Sequence, residues 1–552
     1  MTDPGISNNA RTLPQRIGLL LLTAAAIFLA AASPVAARVL LVAQSSGPIG
    51  WFGHHHHHHQ ARFQTIQSAV DAAHPGDWIL VAPGDYHERG DYTTHKPSDK
   101  AGAGVLITTP DIHLRGLDRN AVVVDGTKPG ARHCSSAAND QDLGPAGPNG
   151  PLGRNGVEVF KASGVTVENL TACNFLGGSG GGGNQIWFNG GDGSGTVGLG
   201  RFAGNWLSAT STFYGGTDAP AATYGLFSSN SKGPGIFDHT YASNMNDASY
   251  YIGACPDCNQ VLTHGHAQGS ALGYSGTNSG GHLLIEHSEW DRNNTGIVTN
   301  SQNNDDAPSP QVGLCPGSTT RSCTVFRDNW IHDNNNPNVP AAGSAALGPP
   351  GGGIVISGGR FDTISHNLIT HNGSWGILLA PFPDATENPL DTPSHCQGGT
   401  LNFVTPCYYD DWGNEVANNV MAGNGFFGNP TNGDLAEISN PENPGNCWHG
   451  NRRPSGGTVT SAPGVLQVTH ATCGVPNQGA SLGDPLTAQV ICATQAFGPC
   501  PPAPGMNYPR PTNVQMLPLP PQRSMPDPCH GVPSSRWCHG RDFFRALRHL
   551  RH

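Results

Sequence analysis

Acid and base side chains recur in company along this chain. Asp291-Arg292 and His332-Asp333 fall at equivalent places in two successive repeats, so Asp291, Arg292 and His332 should share one patch. A carboxylate, a guanidinium and an imidazole together make an acid/base set, because the imidazole titrates near neutrality and the guanidinium neutralises an adjacent anion. The same groups would also serve as an exposed ion-pair ladder. Two carboxylate pairs, Asp305-Asp306 and Asp410-Asp411, lie in long polar stretches. Paired carboxylates with Asn and backbone oxygens suit Ca2+, which makes Asp305 and Asp306 candidate ligands and Ca2+ the candidate cofactor. Tyr408, Tyr409 and Trp412 flank the second pair, and their ring faces suit sugars, while loop packing and solvated charge are the plainer reading.

Histidine offers two further patterns. His239, His264, His287 and His366 occupy one column of the repeat, where metal binding or general base chemistry is conceivable. Asp328 and Asn418 stand in the same column, which favours a stacked ladder of turn residues. The run His54, His55, His56, His57, His58 and His59 would bind Ni2+, Zn2+ or Cu2+ through adjacent imidazoles, either as an inserted tag or as a native arm.

The elements that must position these groups repeat every ~20–25 residues, the spacing of stacked solenoid units. FDHTYA from Phe237, LTHGHA from Leu262, IEHSEW from Ile285, FRDNWI from Phe326, ISHNLI from Ile364 and VANNVM from Val416 align without gaps. A second apolar strand precedes most of them, as in GIVT at Gly296 and GIVI at Gly353, so two short strands per coil are expected. Asn329, Asn367 and Asn419 share one column, and Asn293, Asn334, Asn372 and Asn424 another, as amides do when they hydrogen-bond between coils. Ahead of the coils, Ile66, Ala69, Val70 and Ala73 recur at helical spacing behind Thr65, which predicts an amphipathic helix capping the first coil. The resulting divisions are a signal peptide at 1–37, a His-rich linker at 38–62, the solenoid at 63–450, and a loosely packed Pro-rich, Cys-containing tail at 451–552.

This repeat resembles the right-handed parallel β-helix superfamily, the pectin-lyase-like fold, over roughly residues 60–450. The resemblance implies an all-β solenoid. It stops at the fold, because the Asn-Thr-Asp, Gly-His-Gly and Arg-Ile-Lys signatures of polygalacturonase-like hydrolases are absent, His264-Gly265-His266 being the reverse order. Tyr224-Gly225-Leu226-Phe227 matches only the start of the motif of mannuronan epimerases. Pectate-lyase-like enzymes pair Ca2+-binding Asp residues with a basic Arg or Lys, roles that Asp305, Asp306 and Arg292 could fill.

Composition agrees with short, turn-bounded strands: 75 Gly and 46 Pro in 552 residues, with only 12% charged side chains, argue against a helical bundle. A formal net charge of −11 excludes nucleic acid as an expected partner. Arg11 and Arg16, then the apolar Ile17 to Ala32, then Ser33 to Ala37 fit a cleaved export signal with no membrane span afterwards. In a secreted, extracellular chain the 14 Cys read as disulfides. Cys255/Cys258, Cys315/Cys323 and Cys396/Cys407 each fall inside one corner loop, and local pairing would stiffen one rim. Those loops are expected to wall a groove floored by Glu286 and Arg327, with Asp291, Arg292 and His332 farther around the turn. Three readings stay open: a monomeric protein that binds polysaccharide or cell-surface glycan and, as a lyase, cleaves it; a non-catalytic scaffold or adhesion protein; and a copper-handling periplasmic protein.

Overall fold

The computed structural model describes residues 37–44, 63–89, 100–216, 220–302, 324–384, 399–400, 407–441, 444–481, 483–494 and 506–538. Three long sheets of 12, 10 and 11 strands wind around one core, and every pairing between successive coils in them is parallel. One coil shows the plan. Leu283–Glu286 belongs to the first sheet, His287 and Ser288 turn the corner, Glu289–Asp291 belongs to the second sheet, and Thr295–Asn300 to the third. Each coil thus has three strands rather than two. The additional strand is only three residues long and sits inside the aligned segments, too short for its own period to register.

The aligned apolar column is the interior of the first sheet. Phe237 pairs with Leu262, Leu262 with Ile285, Ile285 with Phe326, Phe326 with Ile364 and Ile364 with Val416. All are at most 1% exposed, so each contributes on the order of 1.5–3 kcal/mol of burial. Corner chemistry accounts for the polar columns. Trp206, His239, His264, His287, Asp328, His366 and Asn418 all have positive φ, between 49° and 59°. This left-handed region is tolerated best by Gly, then Asn, Asp and His, which is why these types interchange there. The next residue aims inward: Asn329 donates to the Ile285 carbonyl at 2.9 Å and to Asn367 Oδ1 at 3.1 Å, and Asn367 donates to Asn419 Oδ1 at 3.0 Å. A second file runs Asn293 to Asn334 to Asn372 to Asn424, at 3.1–3.2 Å.

At the N-terminal end, helix Ile66–Ala72 has Thr65 as its cap and buries Ile66, Ala69 and Val70. Before it, Val39–Val42 pairs in parallel with Trp78–Val81, with Leu40 and Val42 in the core. The segment expected to be a linker therefore supplies the outermost strand of the first sheet, because its alternating apolar residues can close an otherwise open edge.

The Pro-rich tail also differs from expectation. Residues 506–538 run back along the outside of the solenoid toward its start. The Asn507 N–H donates to Asn429 Oδ1 at 2.8 Å, Thr512 to Asn338 at 2.8 Å, Leu517 to Asn244 at 3.0 Å and Met525 to Asn169 at 2.8 Å. Buried Arg115 then donates to the His530 carbonyl at 2.6 Å, and the Cys529–Cys538 disulfide loop packs with Val532 on Leu80 and Leu117. An extended Pro-rich chain has few N–H groups to satisfy and little backbone entropy to lose, so corner Asn amides suffice to hold it.

Among the described residues, Cys255–Cys258, Cys134–Cys173, Cys447–Cys473 and Cys529–Cys538 are disulfides. Cys407 is disulfide-bonded as well, while Cys396, Cys315 and Cys323 lie outside the described residues. No helix among the described residues is long and apolar enough to cross a membrane.

Candidate functional site

The outer face of the second sheet brings the acid/base set together. Asp291 and His332 are cross-strand partners, as are Glu289 and Trp330 one row away, and His266 and Gln268 precede them in the coil before. Outward positions alternate along these three-residue strands, so each strand presents its first and last side chain and buries the middle one, Ala267, Trp290 or Ile331. Arg292 follows at the corner, with φ at 54°.

Arg292 donates through Nε to Asp291 Oδ2 at 2.6 Å, and His266 Nε2 lies 2.7 Å from Asp291 Oδ1. His332 contacts Glu289 through Nε2 at 3.2 Å and Asp333 through Nδ1 at 2.8 Å. Burial would raise the Asp291 carboxyl, but the hydrogen bond from His266 and the Arg292 guanidinium hold it below the usual carboxylate range. The hydrogen bond from His332 likewise holds Glu289 down. Burial would lower His332, yet its bonds to Glu289 and Asp333 raise it above the usual imidazole range. Burial pushes the neighbouring Tyr241 hydroxyl up to about 12. Trp330 stacks on His332 with centroids 3.7 Å apart and remains 44% exposed.

Asp291, Arg292 and His332 thus meet as the register predicts, and His266, Glu289 and Tyr241 join them. The sequence signal for these three lay two residues upstream, in the first position of the short second-sheet strand, which a two-strand coil does not contain.

Other expected site residues fall elsewhere. Tyr408 and Tyr409 lie on Cys407–Tyr409, antiparallel to Phe382–Asp384, and are 9% and 0% exposed, so their rings pack the corner instead of facing solvent. Trp412 meets Phe361 edge-on at 5.0 Å, with the Arg360 guanidinium 5.0 Å from its ring. Asp410 accepts from Asn440 at 2.9 Å, and Asp411 is fully buried with its carboxyl pushed well up by burial. Asp411 is therefore not a solvated loop charge. Asp305, Asp306 and His54 to His59 lie outside the described residues.

The expected groove also changes. The chain leaves the third sheet after Asn300 and re-enters the first at Thr324, so these two described ends stand at the corner where the third sheet meets the first. Asp291, Arg292 and His332 sit where the second sheet meets the third, and a full sheet separates the two corners. Glu286 and Arg327 do form an outward pair on the first sheet, at 2.7 Å, but they neutralise each other. The His column is a ring ladder: Trp206 stacks on His239 at 4.1 Å, His239 on His264 at 4.6 Å and His264 on His287 at 5.8 Å.

A last polar group lies on the second sheet's outer face near its start. Asp85, His87 and Asp125 bring one ligand atom each within 4.8 Å of the others. Burial would lower His87, but Asp85 and the Thr127 carbonyl raise it, and burial raises the Asp125 carboxyl.

No protein-family model and no curated protein matches the sequence. Among solved structures, the chain is similar to the A-module of the Azotobacter vinelandii mannuronan C-5 epimerase AlgE6, at 14% identity and a TM-score of 0.41, over 70% of this chain and 88% of that one. It is also similar to an alginate lyase from Paenibacillus sp. str. FPU-7, at 14% identity and a TM-score of 0.29, over 70% and 96% of the two chains. A pectin methylesterase, PemA from Erwinia chrysanthemi, matches at 15% identity and a TM-score of 0.26, over 55% and 80%. The stacked parallel sheets make this chain a right-handed parallel β-helix.

Proposed function

We propose that the protein is an exported polysaccharide-binding β-helix that acts on uronate polymers as a lyase at the second-sheet patch. The observation that carries this reading is two bonded sets side by side, Arg292–Asp291–His266 and His332–Glu289, with His266, Glu289 and Asp291 within 4.8 Å of one another, beside the exposed Trp330 ring. Eliminating the bond next to a uronate needs a cation on the carboxylate, a base for the adjacent C–H proton and a donor for the departing oxygen. Arg292, whose side chain is 55% exposed, can pair with the carboxylate. With Nε2 donating to Asp291, His266 keeps a lone pair on Nδ1 and is the base. His332 is the donor, turning its Nε2–H from Glu289 to the departing oxygen, and the free face of Trp330 stacks a sugar ring.

The names of the similar structures, an epimerase of mannuronan and an alginate lyase, support this choice of substrate class. Internal neutralisation of the patch favours a second reading, glycan adhesion without turnover. The test is to incubate the purified chain with polymannuronate, polyguluronate and polygalacturonate, with and without Ca2+, and follow the ultraviolet absorbance of unsaturated ends. Product formation that His266→Gln and Arg292→Ala both abolish supports the lyase. Retained binding with no product on any polymer replaces it with the adhesion reading.

A further inference from the structure

We propose that Asp85, His87, Asp125 and His133 form a binding site for one Zn2+ ion that staples the first two coils to the loop between residues 126 and 153. The site is built by register. Gly84–Tyr86 pairs with Val122–Val124, so His87 and Asp125 are the next residues along neighbouring strands, and Asp85 and His87 share the outer face by alternation. His133 reaches in from the loop, with Nδ1 4.0 Å from Asp85 Oδ1. Cys134, the next residue, is tied by its disulfide to Cys173 one coil further on, which fixes the loop beside the cluster.

Three observations point to a cation here. The His87 Nδ1–H donates to the Thr127 carbonyl at 2.9 Å and Nε2 faces Asp85 Oδ2, 3.4 Å away, so a cation between them would take the place of the Nε2 proton. Orienting one ring nitrogen by a backbone carbonyl is how ligating imidazoles are held. Asp85 Oδ1 is a buried atom that makes no hydrogen bond. Asp125 is 0% exposed and, with Asp85, forms no ion pair with any Lys or Arg among the described residues. Its two oxygens accept from the Thr127 and Cys134 backbone N–H groups at 2.8 and 2.6 Å, which holds the carboxylate in place beside His87. Two imidazoles with two carboxylates match the four-coordinate N/O preference of Zn2+, whereas Ca2+ takes an all-oxygen shell.

The test uses the full chain with His54 to His59 replaced by Ser, which removes the competing tract. After chelator stripping, Zn2+ alone is titrated by calorimetry and bound metal is counted by elemental analysis. The expected result is one tight equivalent, weakened at least about tenfold by His87→Gln and by Asp125→Asn. His87→Gln, at a site 13% exposed, keeps the test usable where Asp125→Asn lowers folding, as judged by circular dichroism. No tight equivalent, or one insensitive to His87→Gln, overturns the site. An equivalent lost in His266→Gln instead would place the ion in the central patch and overturn it equally.

Discussion

Two polar clusters share the outer face of the second sheet, and they solve the same electrostatic problem differently. The central one, around Asp291 and Glu289, closes its charges internally, with Arg292, His266 and His332 each within 2.6–3.2 Å of a carboxylate oxygen. The N-terminal one, around Asp85 and Asp125, has two carboxylates and no guanidinium or ammonium partner among the described residues. Position in the sheet is the same, since the register carries Asp85 into the column of Glu289 and Asp125 into that of Asp291. What differs is the corner residue that follows. In the central coils it is Arg292 or Asp333, while after Asp125 the chain enters the long loop carrying His133. A closed cluster can bind a charged polymer through residual donors; an open one calls for an ion.

The largest expected effect comes from opening the central cluster. Asp291→Ala leaves His266 unoriented and Arg292 unpaired, and kcat/KM on a uronate polymer should fall by about 10²–10⁴. Denaturant unfolding should show a loss of about 1–3 kcal/mol, because Asp291 is 4% exposed and its partners lose their acceptor. Stability unchanged by this substitution would mean that the cluster is not closed. Next in size, Zn2+ at a hundredfold excess over its dissociation constant should stabilise the chain lacking the His tract by about 3 kcal/mol. Asp291→Asn should leave that gain intact and His87→Gln should remove it, which separates the clusters.

A smaller effect is the pH dependence of the central cluster. The folded state raises His332 above its unfolded value of ~6.5, so its contribution is full below that pH and is lost as pH rises through the folded value. Glu289 and Asp291 are held below their unfolded values of ~4, so their contribution is present above that and is lost as pH falls. Stability curves against pH should therefore flatten on the alkaline side in His332→Gln and on the acid side in Glu289→Gln. Identical curves for these variants and the parent would break the assignment. The smallest effect on folding belongs to Trp330→Ala, within about 0.5 kcal/mol, since the residue is 44% exposed at the sheet surface. Glycan binding by that variant should nevertheless weaken by about fivefold, the loss of one stacking contact.

How far the residues disclose the molecule can be followed element by element. The Phe237 to Val416 column was legible because a buried position tolerates only apolar side chains in every coil. The Asn files were legible because each amide bonds its copy in the next coil, so the residue type repeats with the fold. The pairing of Asp291 with His332 followed from that register. Glu289, His266 and Tyr241 were not legible, since a three-residue strand carries too few alternations to distinguish it from a turn. The packing of Tyr409 and Asp411 was also hidden, because burial of loop residues depends on what the loop folds against.

The sequence by itself determined what repeats: the interior column, the corner residue types and the order of the coils, all set by local backbone geometry and by contacts between copies of the same position. Only the tertiary structure decided what occurs once. It laid the Pro-rich tail along the coils, added Val39–Val42 to the sheet edge, and separated the corner of the long loops from the acid/base patch. The physical reason is that a solenoid's coils read each other at fixed separations, whereas a strap, an edge strand or a cluster such as Asp85, His87, Asp125 and His133 depends on contacts of no fixed spacing.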